Sequence, residues 1–134
     1  MPARDDILVV AGEWLLKAEN DLRTAEHTLT LNIACPTDTV CFHAQQCVEK
    51  SLKVLLVLAG QDFPKTHDLE QLFAMLPAGV TVALSDEDLA RLTDYATAAR
   101  YPGWGPIPLE EAHAAVRIAR LTWDTVQSTL PSSG

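Results

Sequence analysis

Apolar positions along the chain recur mostly at helical spacing. Leu15, Ala18, Leu22, Ala25 and Leu29 follow one another at three and four residues, which puts them on one stripe. They predict a helix over about residues 6–31. Glu13 and Lys17 form an i,i+4 pair on another face, and Gly12 weakens the start. Pro36 interrupts the pattern, and Thr37-Asp38 offers an N-cap. A second helix is predicted over residues 37–59, with Gly60 as its stop. A loop containing Pro64 leads to a short helix over residues 67–76, ended by Pro77-Ala78-Gly79. Val80 to Leu84 alternates like a strand, but the chain holds no second strand for it to pair with, so it is expected as an extended connection. Ser85-Asp86-Glu87-Asp88 resembles a cap followed by an acidic first turn. The fourth helix carries Leu89, Leu92 and Ala96 and is expected to reach Arg100. Tyr101 to Pro108 holds three prolines and two glycines and must be a loop. From Pro108 a fifth helix carries the seam Ala112, Val116, Ala119, Trp123, Val126 and Leu130, with residues 131–134 as a frayed tail.

Short connections between long amphipathic helices favour antiparallel neighbours. The expected fold is all-α, an up-and-down helical bundle of four long helices plus one short helix, in one domain over residues 1–134. The second helix stands apart. Ala44, Cys47, Val48, Ser51, Leu52, Val54, Leu55, Leu56 and Leu58 cover more than half its circumference, so it should be surrounded by the bundle or by a second subunit.

Composition then narrows the function classes. The chain has 134 residues, 10 Lys plus Arg against 18 Asp plus Glu, and a formal charge of -8. Such a balance repels phosphate backbones and anionic membranes and disfavours non-specific DNA binding. The longest apolar run, Val54 to Ala59, is too short to cross a bilayer, and the first residues lack a secretory pattern. Cys35, Cys41 and Cys47 make no CxxC pair, which argues against a disulfide framework and a zinc site. A cytoplasmic protein with reduced thiols, no metal and no cofactor is expected.

Candidate chemistry centres on the second helix. His43, Gln46, Lys50 and Lys53 lie on one stripe that could receive a phosphate or carboxylate. The competing reading is a solvated stripe in which Glu49 pairs with Lys53 across one turn. Gln45 projects into the apolar arc, where a buried amide needs a partner, so it should fix a neighbouring helix or loop. Thr66 reads as an N-cap for the third helix and Asp68 as a charge in its first turn. His67 gains nothing there as a cation, and is a candidate for a specific hydrogen bond or ligand contact, or equally for a buried structural histidine. Arg100 either balances the end of the fourth helix or grips an anion, and Tyr101 follows it as a structural residue. His27 and His113 read as surface residues. No phosphate-binding glycine loop, nucleophile elbow or zinc-protease motif is present.

Three segments together resemble the HEPN domain family: Phe42 to Leu56 (FHAQQCVEKSLKVLL), Lys65 to Leu69 (KTHDL), and Arg100-Tyr101-Pro102 before the last helix. Trp14 to Leu22 is similar to the family's opening helix. The resemblance implies a small all-α bundle that forms a homodimer and binds a nucleotide or a minimal nucleotidyltransferase protein, a pairing that in some cases acts as toxin and antitoxin. It would give His43, His67 and Gln46 hydrogen-bonding roles, and Lys50, Lys53 and Arg100 the task of neutralising phosphate. Many relatives are metal-independent ribonucleases with an Arg, four to six residues, then a His. Here Arg23 and His27 have only three residues between them, and neither Arg91 nor Arg100 has a His at the required distance. The expectation is therefore a non-catalytic module with no catalytic residue. The alternatives are an endoribonuclease using His67 and Arg100, and a purely structural dimeric adaptor.

Overall fold

The helix with the broadest apolar arc becomes the axis of the molecule. In the computed structural model, which describes residues 4–98, 102–103 and 105–131, this helix, α2, spans Thr37–Leu58. Around it stand α1 (Arg4–Leu29), the short α3 (Leu69–Ala74), α4 (Asp86–Ala98) and α5 (Leu109–Gln127). Each of the four touches α2; α1 also packs on α5, and α3 on α4. The result is an all-helical, up-and-down bundle, with no strand among the described residues. Leu52 and Leu56 are fully buried, each contributing about 1.5–3 kcal/mol through apolar burial. The apolar breadth of α2 is thus covered by its own chain.

The α5 seam packs inward over most of its predicted length, with Ala112, Val116, Ala119 and Val126 buried; Trp123 is half-buried, and Leu130, also half-buried, lies past the helix end at Gln127. Cys47 and Ser51 of α2 are also fully buried, and Cys47 Sγ lies 3.8 Å from the Ala119 carbonyl. Small side chains on both helices bring their backbones close there. Residues 80–84 form a connection that is neither helix nor strand, with Val82 and Leu84 turned into the core; it is not extended throughout, since the Leu84 amide donates back to the Val82 carbonyl at 2.8 Å in a tight turn.

The caps differ from the sequence reading in two places. Pro36, in extended conformation, caps α2 without a side-chain bond. The Thr37 hydroxyl instead donates to the Ile107 carbonyl at 2.6 Å, because that loop carbonyl has no helical partner. At α3 the cap is Asp68 rather than Thr66. The Asp68 carboxylate accepts from the Glu70 and Gln71 amides at 3.0 and 3.3 Å, while Thr66 Oγ1 accepts from the Asp68 amide at 3.1 Å. The helix starts later than expected because His67 is held outside it by contacts to α2. Ser85 and Asp88 cap α4 reciprocally, each side chain accepting from the other's amide. Gly60 ends α2 at φ +68°, and the Gln61 amide reaches back to the Leu56 carbonyl at 2.9 Å. The expected end of α4 at Arg100, the Tyr101 position and the last three residues of the tail lie outside the described residues. Among those described, no helix is long and apolar enough to cross a membrane.

Candidate functional site

Two carboxylates organise the polar side of α2. The first is Asp21 on α1, whose side chain is 12 % exposed. Its Oδ1 lies 2.8 Å from His43 Nδ1, and its Oδ2 2.6 Å from Lys50 Nζ. His43 and Lys50 are two turns apart on α2, so one carboxylate reaches both. The contacts tie α1 to α2 through polar groups beside the Ala18–Leu22–Ala25 packing stripe.

The second is Glu49, only 4 % exposed. Its Oε1 accepts from His67 Nδ1 at 2.8 Å and from Gln45 Nε2 at 3.1 Å. Its Oε2 accepts from Lys53 Nζ at 3.0 Å. A buried charge persists only when it is paired and hydrogen-bonded. Burial alone would raise the Glu49 pKa; the bonds from His67 and Gln45, with the Lys53 charge, outweigh it and leave the carboxyl below its ordinary value. Lys53 Nζ also sits 5.0 Å from the centre of the Trp14 ring and 5.6 Å from that of Phe63. These rings meet edge to face and present apolar surface and π density to the ammonium. Gln45 further donates to the His67 carbonyl at 3.4 Å, and Gln46 donates to Gln45 Oε1 at 2.6 Å.

The sequence-predicted residues therefore fall into two hydrogen-bonded clusters. His43 and Lys50 join α1; Gln45, Gln46, Lys53 and His67 join the segment before α3. Arg100 and Tyr101 lie outside the described residues. The Glu49–Lys53 pair forms across one turn, but the solvated stripe expected for it does not: both side chains are buried. Sequence reasoning missed Asp21, which carried no signal beyond a lone acid beside an apolar stripe, and Glu49 as a buried hub. The second had a trace: Glu49 follows Gln45 by one turn, and Gln45 falls in the apolar arc.

Chemically, two ammonium groups meet two carboxylates, and their formal charges cancel. What remains open is imidazole. Each Nδ1 donates to a carboxylate, which fixes the tautomer and leaves Nε2 as the second ring nitrogen. The His67 side chain is 56 % exposed and that of His43 28 %. His27 is exposed on α1 and His113 half-buried on α5. Burial pushes the Cys41 and Cys47 thiols up to about 12. Tyr95, buried and donating to Glu111, is also held above its ordinary value, by burial first and that bond second. Among the described residues, no three His, Cys, Asp or Glu side chains are grouped to hold a metal ion.

The HEPN domain family matches residues 11–129. Among solved structures, the crystal structure of TT1696 from Thermus thermophilus is similar, with a TM-score of 0.74 and 31 % identity. The match covers 90 % of this chain and 98 % of that one. No curated protein matches at a significant level. The family match takes in most of α1 and all of the other four helices, including the α2 stretch and the segment that seats His67 on it, and the chain belongs to the HEPN domain family.

Proposed function

We propose that this chain is a non-catalytic HEPN module that acts by docking a partner protein on the polar side of α2 and His67, the partner being a nucleotidyltransferase. One observation carries this reading. Lys50 and Lys53 lie 2.6 and 3.0 Å from carboxylates of their own chain, so the region offers imidazole and amide groups with its ammonium charges already neutralised. A protein surface can satisfy such groups directly or through water. A nucleotide triphosphate needs cations that are free to meet it. The partner class rests on the family resemblance, in which such modules accompany minimal nucleotidyltransferases.

The test is co-purification with a minimal nucleotidyltransferase protein, run with wild type and His67→Ala, alongside calorimetric titration of the isolated protein with ATP and GTP. The expected result is a complex weakened by His67→Ala and no heat from millimolar nucleotide. Nucleotide heat that disappears in Lys50→Ala would replace docking with nucleotide binding.

A second reading is a metal-independent endoribonuclease, favoured by the Glu49–His67 pair. A buried carboxylate orienting a half-exposed imidazole is an arrangement suited to a general base. Incubation with single-stranded and structured RNA decides it. Cleavage lost in His67→Ala would establish this reading, and cleavage unchanged in that variant would remove it.

A further inference from the structure

The groove between the start of α1 and the chain just past the end of α2 has an apolar floor and an acidic rim. It measures about 640 Å³, and Ile7, Val10, Val57 and Phe63 form its floor. Val10 is 41 % exposed and the other three are half-buried. Asp6 lines the groove from α1, and Asp62 lines it from the segment after α2. Both aspartates are exposed. Among the described residues neither is paired with a cation.

The other charges do not cancel these two inside the groove. Among the described residues, no Lys, Arg or His lines it. Outside it, the nearest charges along the chain are the exposed cations Arg4, Lys17 and Lys65 and the exposed acids Asp5 and Glu13. Asp6 stands at the positive end of α1 and Asp62 beyond the negative end of α2, so the two helix dipoles offset one another there.

Floor and rim together select the occupant. A bare cation would satisfy the carboxylates and leave the apolar floor wet. A lysine or arginine lays its aliphatic stem on apolar surface and keeps its charged head at the rim. The formal charge of -8 on the chain draws cationic segments toward it. A second copy of this chain has no such segment to offer. Only Lys50–Lys53 and Arg117–Arg120 place two cations within five residues, and Lys50, Lys53 and Arg120 are already held by carboxylates.

We propose that this groove docks a short basic segment of a partner protein, one with an apolar residue between two lysines or arginines. The apolar residue and the stems cover Ile7, Val10, Val57 and Phe63, and the charged heads meet Asp6 and Asp62. Carboxylates at an exposed rim hold cations weakly and lose them to salt, so the complex is transient. The groove is separate from the α2 polar clusters, and the proposal does not depend on what those clusters bind.

Fluorescence anisotropy with a labelled peptide, Gly-Lys-Leu-Lys-Gly, titrated with protein to about 1 mM, tests it. Binding is expected, and the double variant Asp6→Asn, Asp62→Asn should weaken it by about three- to tenfold. Replacing the peptide's leucine by serine, or its lysines by glutamine, should weaken it as well. The double variant Asp94→Asn, Glu110→Gln removes the same charge from α4 and α5 and should leave binding within about twofold. Absence of binding overturns the proposal. So does equal weakening by the two double variants, which would mean diffuse attraction, or indifference to the peptide's leucine. Displacement by an equal concentration of spermidine would assign the groove to a free polyamine, and peptide binding that falls as the chain self-associates in sedimentation velocity would assign it to a second copy; either result refutes the proposal. Should Asp6→Asn fray the start of α1, Asp62→Asn alone decides: unchanged binding in that variant refutes it.

Discussion

Replacing Glu49 by alanine is the sharpest perturbation of the buried polar cluster. The side chain is 4 % exposed and accepts from His67, Gln45 and Lys53 at 2.8, 3.1 and 3.0 Å. His67 is open to water and can be solvated after the loss. Lys53 cannot, because its side chain is 10 % exposed and lies against Trp14 and Phe63. Removing one partner of a buried ion pair costs about 3–5 kcal/mol, since the other charge is left uncompensated. The two rings, at 5.0 and 5.6 Å, soften this by about 1 kcal/mol, so about 2–4 kcal/mol is expected for Glu49→Ala. That is a large share of the 5–15 kcal/mol typical of a domain. Lys53→Met should cost less, about 1–2 kcal/mol, because Glu49 keeps two donors and a methionine fits the apolar stem's place.

The measurement therefore has an order and a coupling to read. Glu49→Ala should be more destabilising than Lys53→Met, and the double variant should be no worse than Glu49→Ala alone, which gives a coupling of at least about 1 kcal/mol. Urea denaturation followed by far-ultraviolet circular dichroism reads all three differences, with equal m-values as the check on two-state behaviour. A Glu49→Ala variant within about 1 kcal/mol of wild type, or additive effects in the double variant, would refute the claim that Glu49 and Lys53 form a desolvated pair.

Three further outcomes follow from the same geometry. Because Glu49 has a lowered pKa when folded, its contribution to stability is fully present above the ordinary carboxylate range and is lost as pH falls through the folded value; urea midpoints should fall more steeply below about pH 4.5 in wild type than in Glu49→Gln. Asp21→Asn frees Lys50 and His43 from their carboxylate, so binding of ATP by calorimetry should strengthen even as the protein loses about 1–3 kcal/mol of stability. Cys41 and Cys47 are fully buried with pKa values near 12, so native protein should react with an aromatic disulfide reagent at Cys35 first, and unfolded protein at all three thiols.

The parts of the fold that depend on apolar periodicity were legible in the sequence. Most of the α5 seam and the α1 stripe fold as their spacing predicts, and the apolar breadth of α2 marked it as the enclosed element. What it did not distinguish was the source of the enclosure, since a broad arc is equally consistent with a second subunit. Residues 80–84 were legible through the absence of a pairing partner rather than through their own alternation. The cap at Asp68 was not, because the shift from Thr66 depends on His67 being drawn onto Glu49, a contact across 18 residues. Asp21 illustrates the general obstacle. An acid on an amphipathic helix has the same local pattern whether it faces water or the lysine of another helix, and only the relative rotation of α1 and α2 separates the two.

Those two carboxylates decide what the polar side of α2 can accept. A lysine 2.6 Å from Asp21 is held by about 6 kcal/mol of Coulomb attraction at an effective dielectric of about 20, before desolvation is counted. A phosphate that took Lys50 would recover much of that attraction. It would also set its own charge roughly 5 Å from a nearly buried carboxylate, a repulsion of about 3 kcal/mol at the same dielectric. The exchange is unfavourable unless the ligand brings a cation for Asp21. A protein surface that approaches with hydrogen-bond donors for the free imidazole nitrogens leaves both internal pairs in place and meets no such repulsion. The stripe His43, Gln46, Lys50, Lys53, which by itself looks built for an anion, is thereby turned by one residue from α1 and one from α2 into a set of internally paired charges, and the proposed docking would have to read it by hydrogen-bond geometry.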